Sequence, residues 1–185
     1  LMGNIVNWEK LAPMLKKRGI LIIEDSADTL GATHKNKSTG HYADISITSF
    51  YGSHIINCGG NGGWLGVNDE KIARKARLLR SWGRTSSIFT DIAESESLDK
   101  RFGIKLNGIE YDSKFIFEYP GYQMEPSEMG AAFGLVQLSN FDNVKRKRMA
   151  AFDKMGAIFS QHSDFVRTAI PHPEAKVIWM HYPII

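Results

Sequence analysis

Four polar side chains lie close to two apolar segments of the chain and have the chemistry of an acid–base site. Asp25 and Asp28 follow the apolar run of residues 20–23, and Ser49 and His54 lie at the end of the next apolar run. An imidazole transfers protons near neutral pH, and a carboxylate at the end of a buried strand needs a partner to offset its desolvation. These residue types could therefore carry out proton transfer at the ends of two strands.

Three of these residues also have a structural interpretation, which the residues alone do not exclude. His54 could be a satisfied core histidine, Asp25 an N-cap or turn residue, and Ser49 a strand serine bonded to backbone. The glycine cluster of residues 59–63 resembles a phosphate-binding loop, but it precedes a strand and lacks the lysine and hydroxyl residue that follow such loops. It favours a tight loop instead.

The elements that must position these residues alternate between strands and helices. The continuous apolar run at residues 20–23 is typical of a strand buried on both faces of a parallel sheet. Residues 85–107 are polar without clear periodicity and predict a long surface loop. The alternation predicts an α/β layer architecture. The predicted helices cover residues 7–18 (with Pro13 as a kink or late start), 70–82, 126–138 and 141–162, and the predicted strands cover residues 20–23, 45–50 and 63–67.

Composition excludes several classes of protein. The 185 residues are 43% hydrophobic, which suits one domain or a domain plus part of another. The 23 basic and 20 acidic residues are too balanced to indicate a nucleic-acid partner, and the basic run 145–148 predicts a solvated helix face. The chain shows no membrane span and no signal segment, so we expect it to be soluble. A single cysteine, Cys58, leaves no intrachain disulfide and fits a reducing cytoplasm.

Four segments together resemble the DegT/DnrJ/EryC1/StrS sugar aminotransferase family, whose members use pyridoxal phosphate (PLP). These segments are residues 19–31, 45–63, 121–138 and 179–183. The resemblance implies the large domain of the aspartate aminotransferase fold, an α/β domain with a mixed, mostly parallel sheet flanked by helices. Because family members are longer, it also implies a chain truncated at both ends. Residues 1–165 would be the C-terminal part of the large domain with interdomain helices, and residues 166–185 the start of the small domain.

The resemblance also assigns roles to individual residues. Most members carry, at the position of His54, a lysine that joins the cofactor covalently; an imidazole cannot form that bond stably. Histidine there is similar to the 3-dehydratase branch, which uses pyridoxamine phosphate (PMP) to remove the 3-hydroxyl of a nucleotide-linked 4-keto-6-deoxy sugar. His54 would be the catalytic residue, Asp25 would contact the pyridine nitrogen, Asp28 would lie beside the ring hydroxyl, and Ser49 and Gln123 would contact cofactor phosphate, Gln123 that of the partner subunit.

The same resemblance fixes the expected cofactors and partners. One dehydratase branch binds an iron–sulfur cluster through cysteines after a Trp-Gly-Arg segment, and residues 81–88 contain no thiol, so we expect neither a cluster nor another metal. An amino donor such as glutamate would restore the cofactor amine. The full-length protein would be a cytoplasmic homodimer acting in deoxysugar or lipopolysaccharide O-antigen biosynthesis, without nucleic acid or membrane.

Three alternatives remain beside the dehydratase. The first is a nucleotide-sugar aminotransferase in which another residue replaces the lysine. Lys35 and Lys37 lie in the turn after Ala32, but neither lies at the end of the relevant strand. The second is a non-catalytic cofactor-binding fragment. The third, a nucleotide-binding module built on the glycine cluster, has the weakest support from the sequence.

Overall fold

The computed structural model describes residues 2–89, 93 and 96–185, and these residues form two compact units. Unit 1 combines Leu1–Gly66 with Pro126–Ile185, and unit 2 is Val67–Glu125. In this part of the chain no helix has the length and apolar character needed to cross a membrane. In chain order the elements are α1 (Trp8–Lys16), β1 (Ile23–Asp25), β2 (Thr33–His34), β3 (Lys37–Ser38), β4 (Ile45–Ser49), β5 (Gly63–Val67), α2 (Glu70–Arg80), α3 (Leu98–Arg101), β6 (Ile104–Leu106), β7 (Ile109–Tyr111), α4 (Glu128–Ser139), α5 (Phe141–Phe159) and β8 (Ala175–Lys176).

Side-chain caps fix where three of the helices begin. The side chains of Asn7, Asp69 and Ser127 accept hydrogen bonds from backbone amides three residues ahead, at 3.2, 2.9 and 3.4 Å. Each cap satisfies an amide that has no partner within its helix. The predicted helices are confirmed to within a few residues, and α1 continues through Pro13.

The main sheet has the strand order β1-β4-β5, with β1 and β4 parallel. The predicted strands at residues 45–50 and 63–67 are confirmed. The expectation that residues 20–23 are buried on both faces is wrong, because β1 starts at Ile23 and only one of its faces is covered. Ile22 and Glu24 are buried, whereas Leu21 and Ile23 are 67% and 63% exposed.

Unit 2 contains structure where the sequence predicts a loop. Within residues 85–107 there is a 3₁₀ turn at Thr85–Ile88, then α3, and then β6, which pairs with β7 in an antiparallel hairpin. Residues 90–92 and 94–95 of the predicted loop lie outside the described residues. An ion pair between Arg101 and Asp112 joins α3 to the residue that follows the hairpin.

A small second sheet has the order β3-β2-β8. In it β8, near the end of the chain, pairs antiparallel with β2 from the first third of the chain. The three residues that follow β8, Val177 to Trp179, are buried in unit 1. Trp179 is 7% exposed and stacks on Phe152 of α5 with ring centroids 4.7 Å apart. Arg148, part of the basic run, donates to the carbonyl of Met180 at 3.1 Å and so is not merely solvated. The predicted boundary between a large domain of residues 1–165 and a small domain beginning at 166 stays a prediction.

Candidate active site

The carboxyl ends of β1 and β4 form one edge of the main sheet, and two predicted site residues lie there. Asp25 ends β1 and stands opposite Ile47 of β4, and Ser49 ends β4. Side chains two residues apart on a strand share a face, so Ser49 lies on the same face of the sheet as Asp25. In open α/β sheets, ligands bind outside the carboxyl ends of parallel strands.

The carboxylate of Asp25 faces the uncovered side of the sheet. Its Oδ1 accepts a hydrogen bond from the amide of Ala27 at 3.1 Å, and the residue is exposed. The buried acid of this strand is Glu24, whose Oε2 accepts the amide of Gly40 at 2.7 Å. Asp25 therefore makes a turn contact with Oδ1, and Oδ2 has no hydrogen bond to the described residues and lies on the open face.

Asp28 and His54 meet, although 26 residues separate them in the sequence. His54 Nδ1 lies 3.5 Å from Asp28 Oδ1, and their side chains are 15% and 22% exposed. The other oxygen of Asp28, Oδ2, accepts the amide of Met2 at 2.8 Å. His54 Nδ1 is buried and makes no hydrogen bond among the described residues. The two side chains therefore lie close together without the alignment that a hydrogen bond requires.

The turn after β4 places His54 next to the strand end. The amide of His54 donates to the carbonyl of Tyr51 at 3.0 Å, and the amide of Tyr51 donates to Ser49 Oγ at 3.2 Å. The amide of Cys58 donates to the carbonyl of Phe50 at 2.9 Å. These bonds fold the residues after β4 back onto the strand, so His54 and Ser49 are held in one short loop.

Small residues on α4 allow this loop to pack closely. A Cβ added to Gly134 would lie 2.5 Å from Cys58 Sγ, and one added to Gly130 would lie 2.8 Å from the Cys58 carbonyl oxygen. The absence of side chains at these two positions therefore lets α4 approach the backbone and side chain of Cys58. Beside the contact is a cavity of about 300 Å³, lined by largely apolar side chains that include Phe50, Ile56 and Leu138.

Gln123 belongs to unit 2. It is exposed and forms an isolated antiparallel bridge with Ser81. Its predicted contact with cofactor phosphate stays a prediction. Among residues 2–89, 93 and 96–185, no group of three histidine, cysteine or acidic side chains is arranged to hold a metal ion.

The sequence did not reveal the pairing of Asp28 with His54. The resemblance placed Asp28 beside the cofactor ring, and nothing in the spacing of the two residues indicates contact. The signal that could have suggested it is the order of the strands: β1 and β4 are neighbours, so the loops after their carboxyl ends meet at one edge.

The chain is similar to proteins of bacterial sugar metabolism. It is 27% identical over 185 residues to the lipopolysaccharide biosynthesis protein RfbH of Salmonella typhimurium, covering 99% of this chain and 42% of that protein. It is 30% identical over 156 residues to a GDP-4-keto-6-deoxy-D-mannose 3-dehydratase of Escherichia coli O55:H7, covering 82% of this chain and 38% of that protein.

A solved structure shows the same fold. The E. coli GDP-4-keto-6-deoxy-D-mannose-3-dehydratase with bound hydrated PLP superimposes with a TM-score of 0.75 at 26% identity, covering all of this chain and 44% of the enzyme. The chain thus spans less than half the length of these proteins. The sequence model of the DegT/DnrJ/EryC1/StrS aminotransferase family matches residues 1–185. The expected fold, part of a PLP-dependent aminotransferase domain with a partly parallel sheet flanked by helices, is confirmed, and the chain belongs to the DegT/DnrJ/EryC1/StrS aminotransferase family.

Proposed function

We propose that the protein to which this chain belongs is a PMP/PLP-dependent 3-dehydratase. Its substrate would be a nucleotide-linked 4-keto-6-deoxy-hexose, and its place would be in deoxysugar or lipopolysaccharide O-antigen biosynthesis. The observation that carries the proposal is His54, an imidazole in the turn after β4 with a carboxylate 3.5 Å from its ring. The likeness to a 3-dehydratase in both sequence and fold supports it.

The residues at the sheet edge fit a cofactor that is held without a covalent bond. His54 cannot form a stable imine, and its Nδ1 is buried and makes no hydrogen bond within the part of the chain that the structure describes. Asp25 presents a free carboxylate oxygen on the open face, suited to a protonated pyridine nitrogen. Ser49 has its hydroxyl at the end of β4, in the loop with His54, and could donate to a phosphate oxygen.

Bound PMP would supply an amine that condenses with the sugar ketone and a ring that accepts electrons. His54 would take a proton from the cofactor carbon C4′ and give one to the departing 3-hydroxyl, so that a single imidazole acts as base and then as acid. Asp25 would keep the pyridine nitrogen protonated through its negative charge. The proposed amino donor, such as glutamate, and the proposed homodimer with Gln123 reaching a partner's cofactor belong to the same hypothesis.

A nucleotide-sugar aminotransferase is the second candidate, because the family that the chain matches is described as an aminotransferase family. It requires an amine at the cofactor. Lys35 is occupied elsewhere: its Nζ lies 2.9 Å from Glu9 and 3.5 Å from Glu174. The hydrogen bond to Glu9 and the two negative charges raise the pKa of Lys35, which reduces its neutral, nucleophilic fraction. Lys37 lies over the ring of Tyr42, 5.1 Å from its centroid.

The two candidates differ in their product. The intact protein would be incubated with PMP, glutamate and a GDP- or dTDP-linked 4-keto-6-deoxy-hexose, and the products analysed by mass spectrometry. We expect a sugar that has lost the C3 oxygen and kept its 4-keto group. His54→Asn should abolish this product, whereas the same change at the exposed His162 should not. A 4-amino sugar as the main product would contradict the dehydratase proposal and favour the aminotransferase.

A further inference from the structure

We propose that Asp28 is a positioning residue for His54: it holds the imidazole in the tautomer with the proton on Nδ1 and leaves Nε2 as the proton acceptor. The catalytic meaning of this inference rests on the proposed function. The structural claim, that the carboxylate selects the tautomer, concerns only residues of this chain.

The carboxylate of Asp28 is itself held in place. Its Oδ2 accepts the amide of Met2 at 2.8 Å, which leaves Oδ1 turned toward His54 Nδ1 at 3.5 Å. The backbone of His54 is also fixed, because its amide donates to the carbonyl of Tyr51 at 3.0 Å. A modest rotation of the imidazole would therefore convert the approach into a hydrogen bond. Catalytic hydrogen bonds are commonly long before the ligand binds and shorten in the complex.

The proton must lie on Nδ1 for this pair to be favourable. A carboxylate has only acceptor sites, and a neutral imidazole has one donor and one acceptor nitrogen. Nδ1 is buried, so leaving it without a partner costs free energy that an Nδ1–H to Oδ1 bond recovers. Tyr51 does not compete, because it meets His54 through a ring edge with centroids 6.4 Å apart. The remaining lone pair is then on Nε2, the nitrogen that a general base needs.

The alternative role for Asp28 is direct contact with the ring hydroxyl of the cofactor. The two roles predict changes in different measurable quantities. A residue that acts through His54 changes the state of that imidazole even without cofactor. A residue that acts on the cofactor changes PMP affinity, and it does so whether or not position 54 carries histidine.

The test uses long-range ¹H–¹⁵N spectra of the intact, ¹⁵N-histidine-labelled protein without cofactor, at a pH where the imidazole is neutral. The His54 signals are identified by their loss in His54→Gln. We expect the wild type to show protonated Nδ1 and unprotonated Nε2, and Asp28→Asn, whose amide can donate to Nδ1, to shift the population toward protonated Nε2. The matched control is Asp44→Asn, which removes another carboxylate that accepts a backbone amide at 2.8 Å.

The outcomes are distinct. A wild type with protonated Nε2 would overturn the inference even if the variant does not fold, and so would an unchanged tautomer in Asp28→Asn. If the tautomer shifts but the wild type dehydrates no sugar, the inference stands and the proposed function fails. If both hold, Asp28→Asn should lower kcat by roughly a hundredfold or more while PMP affinity changes by less than about threefold. A large loss of PMP affinity that persists in a His54→Asn background would assign Asp28 to the cofactor instead.

Discussion

At position 54 an imidazole occupies the turn after β4, with Nδ1 3.5 Å from a carboxylate oxygen of Asp28. A lysine in that turn would carry a primary amine, which bonds covalently to an aldehyde, whereas an imidazole exchanges protons. The identity of this one side chain therefore decides whether the proposed cofactor would be covalently held. In the proposed function, Asp25 would set how strongly the cofactor ring attracts electrons.

His54→Lys should create a covalent carbon–nitrogen bond to added PLP. The new amine would follow β4 in the same turn, and 3-dehydration should fall by at least about a hundredfold because the proton-transferring imidazole is lost. Borohydride reduction followed by peptide mass mapping would locate the bond. His162→Lys, a change at an exposed histidine, is the control. Bound PLP without label at position 54 would show that this residue does not face the cofactor aldehyde.

Asp25→Asn should slow 3-dehydration by at least about a hundredfold while weakening PMP binding much less. The amide has no negative charge to keep the pyridine nitrogen protonated, so developing negative charge on the cofactor is less stabilised. Steady-state kinetics and a PMP titration would separate the two effects. Turnover close to that of the wild type would mean that Asp25 serves only the turn in which it accepts the Ala27 amide.

Among the elements, the end of α2 lies at a close backbone crossing within unit 2. The amide of Gly83 donates to the carbonyl of Leu78 at 2.7 Å, and the amide of Trp82 donates to the carbonyl of Tyr122 at 2.8 Å. A Cβ on Gly83 would lie 1.8 Å from the carbonyl oxygen of Tyr119. The absence of a side chain at position 83 is what lets the two segments meet.

Gly83→Ala should destabilise unit 2 severely, and Gly108→Ala provides a matched control. Both glycines have positive φ, 82° and 84°, but an added Cβ on Gly108 meets nothing within 4 Å. The control should therefore lose only about 1–2 kcal/mol of stability, which is the cost of placing an alanine at a left-handed φ. Gly83→Ala has the same cost and adds a clash with backbone. Chemical denaturation followed by circular dichroism would compare them. Equal losses of stability in the two variants would contradict the predicted clash.

At the scale of the whole molecule, the charges of unit 2 make it sensitive to acid. Hydrogen bonds from Lys114, Arg101 and Arg74 lower the pKa values of Glu96, Asp112 and Glu118, respectively, in the folded state. Stability from such groups is complete above their unfolded pKa values of about 4 and is lost as the pH falls toward the folded values.

Asp112→Asn should reduce the stability of unit 2 at neutral pH, and the difference from the wild type should shrink below about pH 4. The wild-type carboxylate accepts a hydrogen bond from Arg101 Nε at 3.2 Å and another from the Lys114 amide at 3.0 Å. Hydrogen exchange of peptides from residues 96–125 would follow the change. Glu110→Gln is the control, because that side chain is 62% exposed and lies 3.7 Å from Lys105. A constant difference between Asp112→Asn and wild type down to pH 2 would refute the prediction.

A protein made of these 185 residues alone should self-associate and bind PLP or PMP weakly. Helix α4 is apolar and largely uncovered, with Met129, Leu135 and Val136 at 83%, 67% and 67% exposed. Light scattering during cofactor titration would test both parts. Leu135→Glu should reduce association, whereas Lys147→Glu, on the exposed part of α5, should not. A monodisperse monomer that binds PMP at micromolar concentration would contradict the expectation.

Local sequence was sufficient to predict most of the long elements. Helices α2 and α5 follow from apolar periodicity, whereas α4 follows from the signal at its start. The caps Asp69 and Ser127 mark the starts of α2 and α4 through bonds that span only three residues. One local signal was missed: Asn107 and Gly108, with φ of 51° and 84°, form the Asn-Gly turn of the β6–β7 hairpin.

The sequence by itself determined the family, the identity of the residue at position 54 and the strand that carries Ser49, because all of these depend on nearby residues. Only the tertiary structure decided which face of β1 is covered, since burial depends on what packs against a strand. It also decided that β2 pairs with both β3 and β8, and that the Met2 amide holds Asp28 beside His54. Those contacts join residues far apart in the chain, and their formation depends on the path of the whole backbone, which no local pattern records.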